Sequence, residues 1–449
     1  MAPTARPHIV VIGGGPAGAT AAGVLARAGL SVTVFERSRF PRHHVGESLQ
    51  PATFTLLDAH LGLGDRFASE RFAYKFGAVY VWGEQRAPWR VLFDPRLEVD
   101  LAGLDEAGLM SGGYEHAWQV ERSRFDQILL EHAAALGADV QFGVTVQSPL
   151  GDRDRITGVR VRYPSGAEAD IAADMVLDAS GQRCLLGRAL SLQQPIADMR
   201  SLATYAYYEG AGGVAGVLGR HVQLVVTIPE GWVWFIPTTP DRTSVGVVHR
   251  GRSRISVAQF EAAIAAANLP LGDAKRLPGP DPDRPLYFAR DWSFTHRRFA
   301  GPGWMLLGDA ACFVDPILSG GVDAAVRSGC AAGTAVARQH NEPGADSAAL
   351  GASYEQLIRS DFRAYLRLAR YWYSNNRSVQ GLFWEAHREI PVDSMSTPLR
   401  AFVYLTSGQY AADRHLRVFN DWQEKNIFRS LGIDRDALRR ARRRASSRR

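Results

Sequence analysis

A short stretch near the start of the chain limits its fold more than any other. His8 to Ile12 is an apolar run, Gly13-Gly14-Gly15-Pro16-Ala17-Gly18 follows at once, and Ala19 to Ala28 reads as a helix of small residues. In a strand-turn-helix of this kind Gly13 permits the tight turn, Gly15 lets a pyrophosphate approach the backbone, and Gly18 lets the helix lie close on the sheet. Pro16 and Ala17 begin a helix whose N-terminus faces phosphate charge. A second strand, Ser31 to Phe35, ends at Glu36, 18 positions after Gly18, near where an acidic partner for a ribose hydroxyl is expected. In this order the elements predict a dinucleotide-binding βαβ unit, and with it an α/β fold around a parallel sheet.

At 449 residues the chain is too long for one core and predicts two or three interleaved subdomains. Its 46% hydrophobic and 22% charged residues match a soluble globular protein. No apolar stretch approaches the roughly 20 residues that span a bilayer. The opening MAPTARPHIVVIGGG enters a strand without the regions of a signal peptide, so a cytoplasmic location is expected. Cys184, Cys312 and Cys330 are odd in number, widely spaced and set among apolar or small residues; they predict reduced packing thiols and no metal site. The formal charge of +6 is concentrated at one end: residues 435–449 carry eight arginines and one aspartate, +7, which leaves −1 for the rest. That distribution argues against nucleic-acid binding and predicts a basic, disordered tail.

Lysine is nearly absent. Of 52 cationic side chains only Lys75, Lys275 and Lys425 are lysine, leaving 49 arginines, so a lysine points to a need for an amine. Lys75 lies among Phe72, Tyr74, Phe76, Val79, Tyr80, Val81 and Trp82, a run that reads as a half-buried strand. Burial lowers a lysine pKa, and the nitrogen then serves as a point donor or, once neutral, as a nucleophile, which a guanidinium does poorly. The alternative is a lysine snorkelling to the surface along its aliphatic stem.

The first motif alone does not separate FAD from NAD. Trp304 to Leu307 forms another short apolar strand, running into Gly308-Asp309-Ala310-Ala311, with a helix starting near Gly321 or Val322. Ser123 to Leu136 reads as an amphipathic helix carrying Arg124 and Asp126, Val140 to Val146 as a strand, and Val176-Leu177 leads into Asp178-Ala179-Ser180-Gly181. This succession resembles the glutathione-reductase-like and hydroxylase-like FAD-binding folds over roughly the first 340 residues. The resemblance implies dinucleotide-binding segments at about 1–60, 115–190 and 295–340 and a mixed-sheet substrate subdomain from about 70–115 and 190–295. A helical C-terminal region at 345–434 then precedes the 435–449 tail. The resemblance also implies cofactor contacts from Gly13, Gly15, Pro16, Ala17, Gly18, Glu36, Arg124, Asp309 and Gly321.

Within that fold one class fits further. Gly231 to Pro237 spells W-x-W-x-I-P through Trp232, Trp234, Ile236 and Pro237. Phe313, Pro316, Ser319 and Gly321 spell F-x-x-P-x-x-S-x-G directly after Asp309. Gly46-Glu47-Ser48 supplies a G-E-S segment, and Lys75 precedes Gly77-Ala78 and Val81-Trp82-Gly83. Tyr371 to His387, with Asn376, Arg377, Phe383, Trp384 and Ala386, adds a helical segment. Together these motifs resemble the flavin-dependent halogenases, and those acting on phenols, pyrroles and carrier-tethered aromatics more than the longer tryptophan halogenases. The resemblance implies that Glu47 and Ser48 touch flavin, that Lys75 is the essential catalytic lysine, and that the setting is natural-product biosynthesis. It implies reduced FAD from a separate flavin reductase, since the sequence presents no second fingerprint for NAD(P)H. With O2 and chloride or bromide the implied product is hypohalous acid, which Lys75 delivers to an electron-rich arene as hydrogen-bond donor or as haloamine.

By their residues alone these motifs admit plainer readings. Trp232, Trp234 and Ile236 share one face of a strand, as core or as an aromatic wall between flavin and substrate that keeps water from a reactive intermediate. Ser319-Gly320-Gly321 is a loop before the Val322 to Val336 helix, or a halide site built of backbone N–H groups at a helix start. His43 and His44, beside Arg42, predict a solvated or flavin-edge place and no catalytic histidine. Where many of these halogenases read Gly-Val-His, this chain has Gly321-Val322-Asp323, and an aspartate facing the site would repel an anion. Leu318 stands where tryptophan halogenases carry a carboxylate, which weighs against an indole substrate of that type. Arg359, Arg363, Arg367 and Arg370 share a helix stripe, as solvated cover or as a docking face for an acidic acyl carrier protein. The rival function is an FAD-dependent monooxygenase acting on a small aromatic molecule, with Lys75 an ordinary binding cation.

Overall fold

The His8–Ile12 strand is apolar at every position after the first and buried at four of its five residues, as a strand covered on both faces of a parallel sheet must be. In the computed structural model, which describes residues 7–82, 87–250, 253–290, 293–342, 344–374, 379–389 and 397–417, it is central to a six-stranded sheet. The order is Ala300–Gly301, Trp304–Leu306, Met175–Asp178, His8–Ile12, Ser31–Glu36, Asp139–Phe142; all pairs are parallel except the first. The register sets Ile12 against both Phe35 and Asp178, so the Gly13 turn, Glu36 and Ala179 leave the sheet side by side at its carboxyl edge. Ligands of open α/β sheets bind beyond that edge.

Two helices with small-residue faces lie against each other behind it, Pro16–Arg27 and Gly321–Asn341. A Cβ on Gly329 would fall 2.5 Å from the Ala17 carbonyl oxygen, and one on Gly333 would fall 2.9 Å from Val24. Glycine at these two positions therefore sets how close the helices come. The close approach aims both N-termini at one place.

The second sheet has eight strands and is mixed. Gly77–Val81 runs parallel to Val222–Ile228, which pairs antiparallel with Gly231–Pro237; Arg242–His249 and Leu202–Glu209 continue the antiparallel series. The three-residue strand Ala73–Lys75 stands apart, pairing with Ala117–Gln119 so that Lys75 faces Ala117. Its ends are laced to the large sheet: the Ala73 N–H donates to the Thr238 carbonyl and the Phe76 N–H to that of His221. Three helices, Ser347–Ser374, Val379–Glu389 and Pro398–Thr406, close over one face. Their anchor is Trp372, fully buried among Tyr80, Trp82, Trp89 and Phe402.

The mixed sheet and the helical C-terminal region match the fold class expected from sequence. The predicted strand Val140 to Val146 is in fact two: Gly143 takes a φ of +75°, and the chain turns there from the parallel sheet into Thr145–Gly151, which joins a separate antiparallel meander. The predicted helix Ser123 to Leu136 spans Arg122–Ala135. Gly83, Asn376, Arg377, Lys425 and the 435–449 tail lie outside the described residues. Among the described residues no helix is long and apolar enough to cross a membrane.

Candidate active site

One cavity of about 400 Å³ begins at the Gly13 turn and ends at the tryptophans of the second sheet. At its first end Gly13 holds a φ of +99°, and a Cβ there would fall 2.6 Å from the Ala179 carbonyl oxygen. Gly18 does not line the cavity; a Cβ on it would fall 1.9 Å from the Gly13 carbonyl oxygen, so its part is the close packing that shapes the turn. Gly15, Pro16 and Ala17 line the wall at the helix start. The Glu36 carboxylate, also in the wall, accepts from the Gly14 N–H at 2.7 Å and the Ser38 N–H at 2.8 Å.

The arginine of this region is Arg122, and the expectation for Arg124 is corrected. Arg124 points away to Glu70, at 2.8 Å, and to Glu131, and it does not line the cavity. Arg122, two positions earlier and so on another side of the helix, is buried in the wall. It grips Asp126 with two hydrogen bonds of 2.8 and 3.0 Å and donates to the Val45 carbonyl at 2.7 Å. Arg42 shares Asp126 at 3.3 Å. The signal for Arg122 was present as the i, i+4 spacing to Asp126, the pairing geometry of a helix face.

Arg122 thus pins the Gly46-Glu47-Ser48 segment, all three of which line the cavity. Glu47 is buried and accepts from the Tyr207 hydroxyl at 2.6 Å; burial pushes its carboxyl above the ordinary range against the pull of Tyr207 and Arg122. The Ser48 hydroxyl is buried without a hydrogen-bond partner among the described residues. Opposite, Asp309 lines the cavity with its carboxyl pushed up to about 6 by burial. His43 and His44 are held neutral, both pushed down to about 4, first by burial and then by Arg122. His43 packs on Tyr287 and meets the Tyr205 hydroxyl at 3.0 Å, and both histidines are exposed at the cavity edge.

The far end is the aromatic wall. Trp232, Trp234 and Ile236 face the cavity from alternate positions of one central strand, while Val233 and Phe235 pack into the core on the other face. Their indoles are fixed: Trp232 donates to the Tyr373 hydroxyl at 2.8 Å and Trp234 to the Ser244 hydroxyl at 3.1 Å. Trp234 also lies over Gly246, its cross-strand partner, where a Cβ would come within 2.2 Å of the ring. Pro237 ends the strand outside the cavity wall.

Ser319 and Gly321 border the same cavity, and Gly320 does not. Gly320 lines a small adjoining space of about 50 Å³ under Tyr365, which meets the main cavity at Gly321 and Phe313. Ser319 sits in the left-handed region, φ +55°, and its hydroxyl donates to the Gln223 amide oxygen at 3.0 Å. Asp323 does not face the cavity: it is buried against Arg327, which also binds Asp361 at 3.0 Å. The feared repulsion of an anion is removed by that pairing. Leu318 is buried, and its carbonyl accepts from Gln50 at 2.9 Å.

Lys75 lines none of these cavities. It is fully enclosed, with Nζ donating to the Leu49 carbonyl at 2.8 Å and lying 5.3 Å from the centre of the Phe93 ring. The snorkelling reading therefore fails. Burial alone pushes its ammonium from 10.5 down to about 7. Leu49 follows Ser48 of the cavity wall and precedes Gln50, which holds the Leu318 carbonyl beside Ser319. Two linked hydrogen bonds thus join the amine to the serine-glycine turn. Sequence reasoning named Lys75 and Ser319 but missed Gln50 and Gln223, since glutamine carries no sequence pattern that marks such a bridge.

The donor set suits FAD. The Gly13 turn would not admit a Cβ, the carboxylates of Glu36 and Asp309 both line the cavity, and the buried Ser48 hydroxyl has no hydrogen-bond partner among the described residues. A family model described as an FAD binding domain matches residues 6–361. The tryptophan 2-halogenase of Chondromyces crocatus is 31% identical over 402 residues, covering 86% of this chain and 72% of that protein. The 1H-pyrrole-2-carbonyl-[peptidyl-carrier protein] chlorinase of Pseudomonas fluorescens is 32% identical over 384 residues, covering 82% and 84%. The solved structure of the myxobacterial chondrochloren halogenase, an FAD-dependent halogenase, superposes with a TM-score of 0.74 at 30% identity over 90% of each chain. With the fingerprint and the wall on one cavity and the enclosed lysine bonded to Leu49 beside its wall residue Ser48, these relationships make the chain a member of the flavin-dependent halogenases.

Proposed function

We propose that this halogenase places chlorine or bromine on an electron-rich ring of the phenol or pyrrole kind, free or carrier-tethered, with Lys75 as its catalytic residue. The observation that carries the proposal is the enclosed amine, hydrogen-bonded at 2.8 Å to the segment that borders the flavin cavity and held near neutrality. When bound, the reduced flavin supplies activation of O2 and oxidation of halide. Gly13, Gly15, Pro16, Ala17, Glu36, Arg122, Glu47, Ser48 and Asp309 bind and orient it. Backbone N–H groups around Ser319 and Gly321, at the start of the Gly321–Asn341 helix, hold the halide, and Gly320 gives the turn its close approach to Tyr365. Trp232 and Trp234 keep the ring of the substrate off the flavin and exclude water. Lys75 then presents the halogen to the arene, which loses a proton.

The pyrrole chlorinase takes a carrier-tethered substrate. In this chain Arg363, Arg367 and Arg370 form an exposed stripe on the Ser347–Ser374 helix, Arg370 paired with Asp198 at 2.7 Å, and the stripe is the docking face for an acidic carrier. Reduced FAD arrives from a separate reductase. The test is mass spectrometry of phenol and pyrrole panels, free and carrier-loaded, with enzyme, reduced FAD, O2 and chloride or bromide. A halogen isotope pattern that disappears with Lys75→Ala supports the proposal. A halide-independent gain of one oxygen that survives Lys75→Ala makes the chain a monooxygenase instead.

A further inference from the structure

Behind the flavin site, three residues from distant parts of the chain meet. His60 ends the Pro51–Leu61 helix, Cys330 lies in the middle of Gly321–Asn341, and His415 belongs to the last described helix, residues 409–417. All three are buried. Each offers one ligand atom, and these atoms lie within 4.8 Å of one another, the two histidine Nε2 atoms being 2.8 Å apart. They stand 270 and 85 positions apart, which is why no ligand spacing in the sequence marks them.

We propose that His60, Cys330 and His415 bind one thiophilic d10 metal ion, Cu+ or Zn2+, which clasps the C-terminal helices to the flavin core. Two imidazoles and a thiolate are the ligand set such ions select. The 2.8 Å contact is a hydrogen bond between the two imidazoles, so the donor ring carries its proton on Nδ1 instead when both Nε2 atoms take an ion. Metal–nitrogen bonds of about 2.0 Å and metal–sulfur bonds of about 2.3 Å need ligand atoms roughly 3.3–3.6 Å apart, so the ion spreads the two rings by about 0.5 Å and draws the sulfur in. On binding, the Cys330 thiol releases its proton to solvent and the thiolate takes the ion; no redox change is involved. One thiolate neutralises a monovalent ion completely, whereas Zn2+ leaves a net charge in a buried place, so Cu+ is held more tightly. The clasp joins the helix after the Gly46-Glu47-Ser48 segment, the helix that begins at the halide turn, and the end of the cover.

Full-length, FAD-loaded protein kept reduced and anaerobic is incubated with Cu+ or Zn2+, desalted, and assayed for metal by plasma mass spectrometry. One equivalent is expected, with Cys330→Ser and His415→Gln each weakening retention about 10- to 100-fold while flavin content stays unchanged. Co2+ loading adds a thiolate-to-metal charge-transfer absorption that Cys330→Ser abolishes. Retention of no stoichiometric metal, or equal retention by both variants, overturns the proposal. Should a variant fail to fold, the wild-type chain decides: one equivalent of metal raises its Tm by several degrees, and an unmoved Tm overturns the proposal.

Discussion

The ammonium of Lys75 has nowhere to go. Water does not reach it, a single carbonyl accepts from it, and no carboxylate is among the causes that set its pKa. Replacing it by methionine should remove the cost of a buried charge and raise stability below pH 7 by up to about 5 kcal/mol, at about 1.4 kcal/mol per pKa unit. The same change should lower halogenation by at least about 10³-fold, on the scale of losing a group that acts on the reacting atoms. A chain more stable and inactive is the signature, read by denaturant unfolding beside product yield. The sign of the pH dependence follows from linkage. Between about 7 and 10.5 the unfolded chain holds a proton on Lys75 that the folded chain has released, so the wild-type protein gains stability from Lys75 as pH rises through that window, and Lys75→Met loses the gain. Activity separates the amine's two roles. A haloamine needs the neutral nitrogen, so the rate climbs through pH 7; a hydrogen-bond donor needs the ammonium, so the rate falls there.

Helices and strands explain which sequence expectations survived. The fingerprint was legible because each glycine answers a contact: Gly13 the Ala179 carbonyl, Gly18 the Gly13 carbonyl. Arg124 was misjudged because helix position alone does not tell which face turns inward until the partner of Asp126 is known, and Arg122 is that partner. Two substitutions measure the difference by FAD titration: Arg122→Ala should weaken FAD binding by about 10- to 100-fold, the scale of a hydrogen bond to a charged group, whereas Arg124→Ala should change it less than about twofold. The turn from Ser319 to Gly321 has its own support. Arg327 holds Asp323 of one helix and Asp361 of the next, both buried. Arg327→Ala leaves buried Asp323 without its cation and Asp361 with Arg414 at 3.7 Å, and should cost about 3–5 kcal/mol in unfolding free energy. Nothing in the sequence marked that pair, because Asp361 is 34 positions from Arg327 and joins it only when the two helices pack.

At the scale of the whole molecule, one cavity receives its walls from segments spread across more than 300 residues, from Ile12 to Ala325. Motif spacing could therefore name the parts of the site, but the assembly depends on two helices approaching through Gly329 and Gly333 and on a cover seated by Trp372. Removing residues 435–449 should leave halogenation with added reduced FAD within about twofold of the full chain, since the walls of the cavity are drawn from Ile12 to Ala325. Product yield of the truncated chain checks this. The whole also contains a place where the site can be resized from outside it. Gly246 is a missing side chain beneath Trp234, and the indole rests in the gap. Any larger residue there would lift the ring off its strand into the cavity it borders; the room at that end is set on the neighbouring strand, by an atom that is not there.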